Sequence, residues 1–140
     1  MSFLCNKLTT QEKVVYLTCL SYVLNINKRP GKVKKEYLEK KVKDVCLSPT
    51  YLDKIKPGTP TAMAKMLKSV DSIVIRRYFV RDMILLATAD HELSDKEINL
   101  IYGIGISAGI SQDKIDDIFM WAAKGIAWEV EGIRLIEEDI

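Results

Sequence analysis

Apolar positions recur at intervals of three and four along nearly the whole chain, and no stretch alternates with period two for long, so the pattern predicts helices and no sheet. The first helix starts at Thr9-Thr10-Gln11-Glu12, where a hydroxyl and a carboxylate three residues apart satisfy each other's orphan amides, and runs to about Leu24. Val14, Val15, Leu17, Leu20, Tyr22, Val23 and Leu24 make it apolar nearly all round, which places it centrally. Asn25 to Lys32, with Pro30-Gly31, read as a loop. From about Val33 to Cys46 a second helix sets Tyr37, Leu38, Val42 and Val45 on one side and lysines on the other, as a surface helix should. Ser48-Pro49 opens a short helix that closes before Pro57-Gly58, and Thr59-Pro60 opens another carrying Met63, Met66, Leu67 and Val70.

The second half repeats the plan. Asp71 or Ser72 begins another helix too apolar for the surface, reaching about Ala89 through Ile73, Tyr78, Met83, Ile84, Leu85 and Leu86. After Asp90-His91-Glu92-Leu93, Ser94 and Glu97 form a second capping-box pattern, and the helix behind them, with Ile98, Ile101, Tyr102 and Ile106, stops at Gly109. Ser111 caps a helix with Ile115, Ile118, Phe119 and Ala122, which Gly125 is expected to interrupt; a last helix from about Ile126 carries Val130, Ile133 and Ile136. Leu47 to Ile55 aligns without a gap with Ile110 to Ile118, which suggests a diverged duplication over about 10–56 and 72–124. The expected architecture is all-α: one domain over 1–140, a bundle of roughly six to eight helices with the central helices of two helix-loop-helix-turn-helix halves packed together.

Composition narrows the class. The 140 residues are 48% hydrophobic, enough for a single core, and the 29% charged fraction is that of a globular chain. No uninterrupted apolar run reaches the roughly 18 to 20 residues that cross a bilayer, and the opening MSFLCNKLTTQEK lacks an export pattern, so the expected location is cytoplasmic, or peripheral to a membrane. Cys5, Cys19 and Cys46 lack Cys-x-x-Cys spacing and are odd in number, which argues against a disulfide framework and a thiolate zinc site; Cys19 and Cys46 read as small buried apolar side chains. A net charge of +2 hides a split: residues 1–70 hold 14 Lys/Arg and 5 Asp/Glu, residues 71–140 hold 7 and 14. One half suits phosphates or acidic surfaces and the other suits cations.

Four carboxylates form the candidate cation site: Asp82, Asp90, Glu92 and Glu97, hard oxygens that a loop between two helices can aim at calcium or magnesium. Capping and turn chemistry account for Glu97, Asp90 and Asp95 as well, and the spacing is not that of an EF-hand. His91, the single histidine, reads as solvated in its loop. Lys28, Arg29, Lys32, Lys34, Lys35, Lys40, Lys41 and Lys43, with Tyr37 among them, form the candidate basic face for nucleic acid or anionic lipid, against the plainer reading of a solvated helix side. Arg76, Arg77 and Arg81 are expected to join an ion-pair network that holds the halves in register. Met120, Trp121 and Trp128 are expected to fill the core in preference to a surface patch. Without a Gly-rich phosphate loop, a nucleophile elbow or a Cys/His pair, no catalysis and no small-molecule substrate are expected; no resident cofactor is expected beyond that divalent cation.

Ala89-Asp90-His91-Glu92-Leu93-Ser94-Asp95-Lys96-Glu97, with Asp82 eight residues before Asp90 and the Gly109-Ile110-Ser111 turn, resembles the core motif of the TerB-like tellurite-resistance family over about residues 76–120. His91 departs from it where the family has Gly, and Asn25 and Asn27 stand where a second acidic loop would be. The resemblance implies an all-helical bacterial module of tellurite-resistance and stress operons, or one attached to co-chaperones: a non-enzymatic adaptor that senses a divalent cation through its acidic cluster. A protein partner is the expectation it carries; nucleic acid, a membrane surface and a second copy of the chain are the other partner classes.

Overall fold

The computed structural model describes residues 6–138, which are helical throughout apart from loops and caps. In chain order the helices are α1 (Thr10–Leu24), α2 (Lys32–Asp44), α3 (Tyr51–Lys54), α4 (Pro60–Lys68), α5 (Ile73–Ala87), α6 (Asp95–Ser107) and α7 (Gln112–Glu137). Their starts are chemically marked. Thr9 Oγ1 accepts from the Glu12 amide at 3.1 Å while the Thr9 amide donates to Glu12 Oε1 at 2.9 Å, a complete capping box. Thr59, Ser72 and Ser111 likewise accept from the amides of Ala62, Ile75 and Lys114.

The two halves repeat with a constant offset of 63 residues, the separation between Lys34 and Glu97. α1 and α5 are both 15 residues long and α2 and α6 both 13, each start and end displaced by that offset. The turns match bond for bond. After α2, the amides of Cys46 and Leu47 donate to the carbonyls of Lys43 and Val42; after α6, Gly109 and Ile110 donate to Ile106 and Gly105. This is the Schellman closure, and it needs a left-handed residue, supplied by Cys46 at φ 62 and Gly109 at φ 93.

α1 and α5 pack against each other at the centre. Tyr16 and its counterpart Phe79 meet at ring centroids 4.9 Å apart, and Leu17, Leu20, Met83, Ile84 and Leu86 are fully buried around them. Each such side chain contributes roughly 1.5–3 kcal/mol of transfer free energy. α4 lies across α1 and α6 and sinks Met63, Ala64 and Leu67 into the same core.

Three expectations need correction. Gly125 does not interrupt a helix: α7 runs unbroken for 26 residues. An isolated helical glycine costs only about 1 kcal/mol, and Met120-Trp121 stand where the first half breaks at Pro57-Gly58. Cys46 is exposed and disulfide-bonded, because an odd count of cysteines does not prevent one pair; Cys19 is the buried free thiol, pushed up to about 12 by burial, and Cys5 lies outside the described residues. Met120, Trp121 and Trp128 are exposed, since α7 outruns the bundle that could cover them.

Candidate functional site

The four candidate carboxylates do not converge. Asp82, on α5, has no exposed surface; its Oδ2 accepts from the Tyr16 hydroxyl at 2.5 Å and its Oδ1 from Arg81 Nε at 2.9 Å, with Arg81 Nη2 equally close. Burial and the Asp82 charge hold the Tyr16 phenol far above its usual range. Burial alone would lower the Arg81 guanidinium, but the Asp82 carboxylate outweighs it and the net shift is upward.

Glu97 belongs to a separate cluster. Its Oε2 lies 3.1 Å from Lys34 Nζ, both side chains only 3% exposed, and Asp90 Oδ2 stands 3.7 Å from the same ammonium. Only half of the expected capping box at α6 forms: Ser94 Oγ accepts from the Glu97 amide, while the carboxylate turns inward and accepts from the Ser94 hydroxyl instead of the Ser94 amide. Glu92 is exposed, and its amide donates to Asp90 Oδ1 in a turn of the loop.

The cation that the family resemblance implies therefore meets a poor donor set: a lysine ammonium stands between two of the carboxylates and a guanidinium fills the face of a third. Among the described residues no three His, Cys, Asp or Glu side chains are grouped to hold a metal ion. In the acidic loop His91 adopts φ 63, a left-handed conformation that glycine takes without cost. Its ring is not free in solvent as expected: Nε2 lies 2.8 Å from Glu129 on α7 and ties the loop to that helix.

The basic face also loses members. Lys34 is buried, because the α2 N-terminus turns it onto Glu97. Lys32 pairs with Glu36, and Lys41 sits 3.7 Å from Asp44 and 5.2 Å above the Tyr37 ring. Lys28, Arg29, Lys32, Lys35, Lys40 and Lys43 remain exposed. Of the three arginines, Arg76 donates to the carbonyls of Val70, Asp71 and Ala108 and so clamps the α6–α7 turn, and Arg81 pairs with Asp82. Among the described residues Arg77 forms no ion pair, and its Nε is buried without a hydrogen-bond partner.

One concave feature was not anticipated. A groove of about 840 Å³ runs between α2, the end of α5 and α7, walled by Val33, Tyr37, Leu85, Ala89, Trp121 and Ile126 among others. The Tyr37 hydroxyl, buried without a hydrogen-bond partner, belongs to this wall, and burial together with the Asp82 charge raises its pKa. Beyond the groove α7 stands clear of the bundle: Trp121 is 54% exposed, Trp128 76% and Ile136 86%. The sequence signal was present in the apolar spacing of α7, but periodicity cannot say whether a stripe finds a core.

Searches against family models, curated proteins and solved structures give no match to this chain. Among the described residues no helix is long and apolar enough to cross a membrane.

Proposed function

We propose that the chain is a non-enzymatic, TerB-like interaction module of the cytoplasm, whose groove between α2, α5 and α7 takes an apolar helical segment of a protein. The observation that carries this reading is the second half of α7, a helix face with Trp128, Ile133, Leu135 and Ile136 between half and nine-tenths exposed, continuous with an open apolar groove. Isolated exposed hydrophobics are ordinary, but a contiguous patch of this kind marks a docking surface. Helix-in-groove recognition uses anchors at the spacing that α7 and the groove provide.

Charge supports a binding role over a chemical one. Among the described residues, the buried charged groups Asp82, Glu97 and Lys34 are each held by partners within the chain, so they act as struts. The nucleic-acid or lipid reading is weaker, because Lys34 is withdrawn inward and Lys32 and Lys41 have acidic neighbours.

A photoreactive benzoylphenylalanine substituted at Val33, half exposed on the groove wall, tests the reading. Irradiation in cells making the full chain should yield a covalent adduct with a polypeptide, and no adduct of any kind would sink the proposal.

A further inference from the structure

The internal repeat identifies what the groove is shaped for. In the first half, α4 fills the cleft between α1 and α6 with Met63, Ala64, Leu67 and Val70. Shifted by 63 residues, the walls of the open groove, Val33, Tyr37, Lys40, Leu85 and Ala89, correspond to Lys96, Leu100, Gly103, Tyr22 and Ile26. Leu100 and Gly103 border α4 directly, while Tyr22, Ile26, Lys96 and Leu100 line, with Pro57-Gly58, a smaller hollow of about 440 Å³ just before α4 begins. The groove, of about 840 Å³, is thus the second half's wider version of a cleft that in the first half α4 narrows to about 440 Å³.

The missing occupant is encoded in the chain. The same shift carries Met63, Ala64, Leu67 and Val70 onto Ile126, Ala127, Val130 and Ile133, four apolar residues at matching spacing on α7. Ile126 is half-buried and the other three are exposed. Charge differs between the two segments: α4 carries Lys65 and Lys68 and packs on the acidic half's α6, whereas the α7 segment carries Glu129 and Glu131 against one Lys124 and faces an α2 wall with Lys40 and Glu36. What differs is the connection. Pro57-Gly58 lets α4 fold back on its own chain; Met120-Trp121 at the equivalent place keep α7 straight, so its own segment runs along the groove rim and cannot turn into it.

We infer that residues 123–133 of a second copy of this chain fill the groove between α2 and α5, with each copy lending the segment that the other lacks. Exchange of an identical element between protomers is the established route by which a straightened hinge turns an internal contact into a dimer contact. The inference rests on the docking reading above and names its partner.

Sedimentation of the purified full chain across micromolar concentrations should show reversible dimers. Val130→Asp places a charge on an exposed position of α7 and should weaken the dimer by about tenfold or more while leaving the helical spectrum intact; Lys40→Glu, on the opposite wall and also exposed, should weaken it too. Cross-linking from position 33 in a mixture of nitrogen-15 and ordinary chains should join residues 123–133 of the opposite isotope. Links confined to one isotope would mean that the segment folds back on its own chain, and would overturn the inference. A monomeric chain without self-links, in which position 33 still captures a different protein in cells, would overturn it and leave the docking reading standing; no adduct with anything would remove both.

Discussion

A lysine ammonium enclosed with the Glu97 carboxylate is stable only while each group keeps its partner, because an unpaired buried charge costs far more than the pair gains. Lys34→Ala should therefore lower the unfolding free energy by about 3–5 kcal/mol, measured by urea denaturation, and Lys34→Met combined with Glu97→Met should recover most of that loss. Tyr16 gives a pH signature. Its folded pKa is raised, so its contribution is complete below the unfolded phenol value of 10.0 and is lost as the pH climbs above it. Stability should stay level in this respect to about pH 9 and then fall, less steeply in Tyr16→Phe. Individual residues were the least legible level. Arg81 and Asp82 are adjacent, and their pairing could be expected; Lys34 sits in a run of lysines on a polar helix face, and only the arrival of Glu97 from the other half turns it inward.

Helix ends, by contrast, are written in short-range chemistry. The hydroxyl caps at Thr9, Thr59, Ser72 and Ser111 and the left-handed Gly109 act within four residues of themselves, which is why those boundaries could be read directly. Gly125 misled for the same reason: a break needs a turn or a proline, and glycine supplies only freedom. Since a Cβ at Gly125 would meet nothing within 4 Å, Gly125→Ala should raise the melting temperature, by about 0.5–1 kcal/mol of stability. The opposite sign is expected at Gly109, whose φ of 93 strains any side chain: Gly109→Ala should cost about 1–2 kcal/mol in the same calorimetric measurement.

At the scale of the molecule, a half of four helices and a half of three share one core and differ in what closes it. Nine residues around Leu47 and Ile110 were enough to suggest the duplication from sequence, but its extent needed backbone geometry, since Lys34 and Glu97 share position without sharing chemistry. The open groove was illegible for a related reason: α7 has the apolar stripe of a packed helix, and whether anything packs on it depends on where the helix leaves the bundle. If the groove is filled by a second copy, stability is tied to association. The melting temperature should then rise with protein concentration in the wild-type chain and stay flat in Val130→Asp, as differential scanning fluorimetry over a hundredfold dilution series would read.

The Lys34–Glu97 contact joins two residues that hold the same place in their respective halves. A half paired with another copy of itself would set ammonium against ammonium or carboxylate against carboxylate in a closed interior. Divergence at this one position therefore works as a mating rule: expressed as separate polypeptides, the two halves are expected to seek each other and reject their own kind, so fusion into one chain fixes a pairing that the charges already prefer.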